Sequence, residues 1–181
     1  SQALQNSNND SKAVTLLSAS FELNISRFPL KLRLKLAELY TELQPDKAIS
    51  IYSDLLMKTK EHFIILNNIA GVYSNKGNYV QAEEYARKSW LKSNDNPAVA
   101  NTLGMILQSA GKVKESLEYL ELAYVKSNKK ADYGLHLSKA LYENNNKDKA
   151  KSVFDQILLS EISTKNQEMH NALLVQLKEG K

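Results

Sequence analysis

Setting successive residues 100° apart sorts the stretch 64–75 into two arcs. Leu66, Ile69, Ala70 and Tyr73 fall together on one, and Ile64, Asn68, Gly71 and Asn75 fall opposite, with Asn67 and Ser74 at the border. That spacing predicts an amphipathic helix with a buried and an exposed side. The pattern then recurs along the chain. Small residues stand at Ala70, Gly104, Ser138 and Ala172, each 34 after the last, and bulky ones follow three later at Tyr73, Leu107, Leu141 and Val175, with Tyr40 one residue out of step. A second small column, Ala82, Ser116 and Ala150, follows the first at a constant offset, and Ala48 follows Ala37 at one position less. Between the columns come Gly77, Gly111 and Asn145, residue types that tolerate the left-handed conformation that ends a helix. Two helices per repeat are implied, meeting where both small columns let the backbones approach.

The order of small, aromatic, glycine and alanine positions within one period resembles the tetratricopeptide repeat, and the run from Leu66 to Tyr79 carries the likeness most fully. The resemblance implies an all-α, right-handed superhelix of helix-turn-helix repeats at 30–62, 63–96, 97–130 and 131–164. The first repeat is one residue short in its turn, Leu43-Gln44-Pro45-Asp46, where proline supplies the break that glycine supplies later. Residues 1–29 read as a truncated N-terminal half-repeat, and 165–181 as a C-terminal capping helix. The missing initiator methionine and the partial first repeat fit a fragment of a longer array or a processed product. In strict register the last helix would turn Glu168 and Asn171 inward, whereas Met169, Leu173 and Leu177 form its apolar stripe. Either the helix rotates to bury the stripe, the favoured reading, or the stripe is a contact surface through which a homodimer forms.

A narrower likeness runs over residues 66–160. The stretch Asn96 to Leu107, then Gly111 and Leu135 to Leu141, resembles the C-terminal repeats of tetratricopeptide lipoproteins encoded with bacterial PEP-CTERM sorting and exopolysaccharide systems, departing at Met105 where tryptophan is common. That resemblance implies a bacterial periplasmic or envelope protein whose lipid anchor lies upstream. A cytoplasmic location is the alternative.

Composition narrows the chemistry. The 181 residues include 24 basic and 20 acidic side chains, a net +4, and no cysteine. Disulfides, thiolate zinc sites and cysteine nucleophiles are thereby excluded. Lysine is interleaved with acid along the chain, so nucleic acid is not an expected partner. No stretch approaches the roughly 18 apolar residues of a spanning helix, and no direct membrane insertion is expected. Phosphate-binding glycine loops, serine elbows and His-Glu-x-x-His helices are missing from the sequence, so no cofactor, metal or catalysis is called for. His136 and His170 share a repeat column, but neighbouring packed helices hold two such rings too far apart for a metal without further ligands.

A helical-hairpin array of this kind lines its concave groove with the first helix of each repeat. The first three groove walls are Lys31, Lys35, Glu38 and Glu42, then Ile64, Asn68, Gly71 and Asn75, then Ala98, Thr102, Met105 and Ser109. Asp132, His136, Lys139 and Glu143 form the fourth. The uncharged centre is the expected contact zone. There Asn67, Asn68, Asn101 and Thr102 would pair with the main chain of an extended peptide, Ile64 and Met105 would give apolar contact, and Gly71 would admit its backbone. Asn75, Ser109, His136 and Lys139 complete the set. The basic slots of the carboxylate-clamp subfamily fall on Asn67 and Asn101, so that mode is not matched. The chain therefore reads as a non-catalytic protein-interaction scaffold for a peptide or partner's tail. The alternative is an accessory or regulatory module of a polysaccharide-assembly enzyme complex.

Overall fold

A computed structural model describes residues 28–60 and 62–179. The half-repeat expected over residues 1–29 lies outside the described residues, apart from Phe28 and Pro29. Among the described residues the regular structure is helical: α1 (Leu30–Leu43), α2 (Pro45–Lys58), α3 (Phe63–Asn75), α4 (Tyr79–Lys92), α5 (Pro97–Ser109), α6 (Val113–Lys126), α7 (Ala131–Glu143), α8 (Lys147–Phe154) and α9 (Gln167–Glu179). Two 3-10 turns, Leu159–Glu161 and Thr164–Asn166, separate α8 from α9. The all-α class and the helix-turn-helix order expected from the sequence are what the structure shows. The chain packs as two compact units, Ser1–Tyr85 and Ala86–Lys181.

In the first unit, Leu36, Ala37 and Tyr40 of α1 meet Ala48, Tyr52 and Leu55 of α2 and Ile65, Ile69 and Val72 of α3. Each large side chain so buried stabilises the fold by about 1.5–3 kcal/mol. Pro45 starts α2 at its first turn, where its missing N–H costs nothing, and the Gln44 amide closes α1 on the Tyr40 carbonyl at 2.8 Å. One residue escapes the apolar pattern. Arg33 occupies the slot that Leu66 fills one repeat later, is only 4% exposed, and is ion-paired with Asp54 of α2. The same carboxylate receives Lys58 Nζ at 3.2 Å.

In the second unit the small columns act as anticipated. A Cβ on Gly104 would stand 2.6 Å from Leu120 Cγ and 3.2 Å from the Leu120 amide nitrogen, so α5 and α6 touch where only glycine fits. Ser138 donates its hydroxyl to the Ala150 carbonyl at 2.6 Å, joining one member of each column across α7 and α8. The turns also follow the repeat. Gly77, Gly111 and Asn145 have φ of 73°, 78° and 61°, and the amide after each bonds back five residues, Asn78 to Tyr73, Lys112 to Leu107 and Asn146 to Leu141. Turns between repeats in this unit use two left-handed residues in succession, Asn94-Asp95 and Asn128-Lys129.

The C-terminal helix departs from strict repeat register. Ala172 and Val175, expected in the small and bulky columns, are exposed, while Leu173 is buried and Met169 and Leu177 pack against the core. The favoured rotation is the one observed, and the stripe belongs to the core. Its physical reason lies upstream. The earlier second helices have 14 residues and α8 has 8, so the chain turns through the two 3-10 segments and delivers α9 at a different angle about its axis. His170 then stacks on Phe154, ring centroids 4.8 Å apart.

Candidate functional site

Of the expected site residues, Ile64, Asn67, Asn68, Gly71 and Asn75 lie on α3 in the first unit. Ile64 and Asn75 are exposed there, Asn67, Asn68 and Gly71 half-buried. Asn68 Nδ2 donates to the Tyr52 hydroxyl at 3.4 Å. Burial raises that phenol above its ordinary pKa, against hydrogen bonds from Thr41 and Asn68 that lower it. Asn68 is thus partly committed to its own fold. Asn67 Oδ1 is buried with no hydrogen-bond partner. A Cβ on Gly71 would meet nothing within 4 Å, so the gap that residue was expected to provide is present.

The rest, Asn101, Thr102, Met105, Ser109, His136 and Lys139, belong to α5 and α7 in the second unit, where α7 lies between α5 and α9. Two of them correct the sequence reading. His136 and Asn101 are buried rather than exposed on a groove wall, because each satisfies the other. The His136 Nδ1 is 2.8 Å from Asn101 Oδ1, and its Nε2 is 3.4 Å from Asn166 Nδ2. With Asn166 as donor, Nε2 accepts and Nδ1–H donates, which is the neutral imidazole. Burial pushes this imidazole down to about 4, against the opposing pull of the Asp132 carboxylate and the Asn166 hydrogen bond. Asn101 completes itself by donating Nδ2 to Met105 Sδ at 3.4 Å, and Thr102 donates its hydroxyl to the Ala98 carbonyl at 3.1 Å. The main-chain hydrogen bonds expected from Asn101 are therefore spent inside the protein.

Asp132 and Asn166 extend this network to the turn before α9. The Ser163 amide and hydroxyl both donate to Asp132 Oδ1 at 3.0 Å. Burial would raise the carboxyl, but the hydrogen bonds from Asn166 and Ser163, with His136 beside it, hold it below the usual carboxylate range. Nothing in the repeat pattern singles out Asn166 or Ser163. The offset between Asn101 and His136, one repeat plus one residue, was a usable signal, since it brings polar side chains of neighbouring helices to the same level.

Above the network lies an open groove. One part, of about 210 Å³, is lined by Met105, Gln108, Ser109, His136 and Lys139. A second part, of about 620 Å³, runs beside α9 past Tyr142, Lys147, Glu168 and Gln176. Lys139, Glu143 and Met169 border both. Gln108 Nε2 donates to Glu143 Oε2 at 2.6 Å, and Lys139 Nζ stands 3.7 Å from Glu143 Oε1. The groove thus joins thioether side chains to a compensated charge pair and amide groups, a lining suited to holding a chain with both apolar and polar atoms. Among the described residues no three histidine, aspartate or glutamate side chains gather as a metal site.

A family model described as the tetratricopeptide repeat matches residues 64–93. No curated protein matches the sequence. Among solved structures, the chain is similar to a tetratricopeptide repeat protein from Parabacteroides merdae, with 16% identity, a TM-score of 0.76 and coverage of 97% of this chain and 68% of that one. It is similar to PilF of Pseudomonas aeruginosa at 18% identity, TM-score 0.69, over 97% and 86% of the two chains. YrrB, solved as a tetratricopeptide protein with an unusual peptide-binding site, is 15% identical with a TM-score of 0.63 over 98% and 88%. At these identities the likeness is one of fold.

Proposed function

We propose that this tetratricopeptide fold serves as a non-catalytic protein-interaction scaffold, holding an extended peptide or a partner's tail along the face of α5, α7 and α9. The observation that carries the reading is the groove bordered by Lys139, Glu143 and Met169 above a fully satisfied polar floor. A floor that needs no further hydrogen bonds leaves binding to Met105 and Met169, which adapt to varied apolar side chains, and to rim amides and charges that pair with main-chain groups. YrrB supports the reading as a protein of the same fold with a peptide-binding site. On α3, the side formed by Ile64, Asn67, Asn68, Gly71 and Asn75 is a second contact segment, with Asn68 keeping its oxygen and one N–H for a ligand.

The finer placement, in a bacterial envelope system for protein sorting or exopolysaccharide production, rests on the sequence resemblance over residues 66–160. Its alternative, an accessory module of a polysaccharide-assembly enzyme complex, shares that basis and differs in partner class.

Selecting a random linear-peptide display library on the immobilised protein tests the scaffold reading. Enriched peptides are expected to lose at least about tenfold in affinity to Met105→Glu and Ser109→Trp, because the first puts charge on the floor and the second fills the opening. Enriched peptides that bind both variants as tightly as the original protein overturn the placement of the site, provided that both variants melt like the parent.

A further inference from the structure

The large apolar side chains that remain exposed include one strict repeat column. Met57, Leu91, Val125 and Leu159 recur at the repeat period, every member is apolar, and every member is exposed. In the second unit the exposures are 83% for Leu91, 64% for Val125 and 58% for Leu159, with Leu158 beside it at 60%. Single exposed leucines need no explanation, but a column that stays both apolar and exposed through successive repeats does.

Two contacts bring the second-unit members to one edge. Lys126 Nζ, next to Val125, reaches Asp95 at 3.2 Å, four residues beyond Leu91. Lys129 Nζ reaches Gln156 Oε1 at 3.2 Å, two residues before Leu158. The ends of α4 and α6 and the turn that follows α8 are therefore linked along one edge, each segment carrying an exposed aliphatic side chain. Lysine accompanies these tips: Lys92 follows Leu91, and Lys126, Lys129 and Lys130 follow Val125, against Asp95, Asp155 and Glu161 as acids on the same segments, with Asp95 paired to Lys126 and Asp155 to Lys151. The overall charge of the chain is slight, but this edge carries a local cationic excess. Met57 repeats the motif within the first unit, followed by Lys58 and Lys60.

We infer that the edge formed by Leu91, Val125, Leu158 and Leu159 docks onto an anionic lipid surface. A bilayer interface accepts such tips without matching pockets, and lysines beside them reach headgroup phosphates while their stems lie along the acyl boundary. Charge complementarity selects the anionic leaflet, to which each nearby lysine adds attraction that falls off within a Debye length. No helix among the described residues is long and apolar enough to cross a membrane, so this is a surface attachment. It leaves the α5, α7 and α9 face open to its peptide.

Co-sedimentation of the full chain with phosphatidylcholine vesicles containing phosphatidylserine, and with phosphatidylcholine alone, tests it. Binding is expected to the mixed vesicles, to weaken with salt, and to fall roughly tenfold in Leu91→Ser/Val125→Ser/Leu159→Ser and by a similar factor in Lys92→Glu/Lys126→Glu. Leu91, Val125 and Leu159 are exposed, so the triple serine variant should melt like the parent, and peptides selected as above should still bind it. No binding to mixed vesicles overturns the proposal. So does equal binding by the triple serine variant, which would leave charge alone as the cause. A wild-type dimer in sedimentation velocity that the triple variant abolishes, without any vesicle binding, would assign the column to a second copy of the chain.

Discussion

Asn67 on α3 and Asn101 on α5 occupy the same place in successive repeats, and their surroundings could hardly differ more. Asn67 buries its carbonyl oxygen without a partner, near a glycine whose Cβ position is empty. Asn101 accepts the His136 Nδ1–H on the same oxygen at 2.8 Å, and a glycine three residues on is pressed against Leu120. A repeat position thus sets where a side chain lies, while the residue on the next helix decides whether it is satisfied. The α3 face keeps unused polar capacity, and the α5 and α7 face has converted its polar groups into structure.

Titration should separate the two faces most strongly. His136 binds its proton near pH 4 in the folded chain and near 6.5 when unfolded, so unfolding gains protons as pH falls between those values. Stability should therefore drop by roughly 3 kcal/mol from about pH 6.5 to about pH 4, beyond what the carboxylates contribute. His136→Gln should flatten that slope in urea melts, and a slope unchanged by the substitution would mean that the imidazole is not held neutral. Next in size, Gly104→Leu should cost about 1–3 kcal/mol or more by overpacking against Leu120, whereas Gly71→Leu should leave the melting temperature unchanged or higher. Equal losses at the two glycines would erase the contrast between a packed and an open site.

Asn101→Ala strands a buried imidazole N–H and is expected to cost about 1–3 kcal/mol. The matching Asn67→Ala removes an oxygen that has no partner and should change stability by less than about 0.5 kcal/mol. A double-mutant cycle of Asn101→Ala with His136→Gln checks the first assignment, since additive losses would show that the two side chains are not coupled. Gly71→Ala should stabilise α3 by up to about 1 kcal/mol through helix propensity alone.

Much of this contrast can be read along the chain, but not all. Gly77, Gly111 and Asn145 announce their turns because a left-handed residue has few chemical solutions. Gly104 announces a close helix contact because nothing larger fits, and Ser138 announces another, where its hydroxyl reaches the Ala150 carbonyl. Both are local demands. Arg33 runs against the apolar pattern, because an ion pair to Asp54 depends on a residue in the next helix that no periodicity marks. The register of α9 is likewise hidden. Ile157, Leu158 and Leu159 carry no proline or glycine to signal that α8 stops at Phe154, so the shortened helix and the rotation that follows have no local cue. The repeat column puts His136 on an exposed wall, and only Asn101 and Asn166 together explain why an imidazole is stable in a buried slot.

The span of that network gives the chain an order of assembly during synthesis. The hairpin of α5 and α6 closes with segments that leave the ribosome together, its Lys112 amide returning to Leu107 and Gly104 meeting Leu120 on the very next helix. The polar side of α7 cannot do the same. His136 finds Asn101 already made, but it waits 30 residues for Asn166, and Asp132 waits 31 for Ser163. At a translation rate of about 5–20 residues per second, that interval lasts on the order of seconds, during which α7 carries an unsealed imidazole and carboxylate. A stall or truncation between α8 and α9 would leave that imidazole and carboxylate without the partners that Asn166 and Ser163 supply.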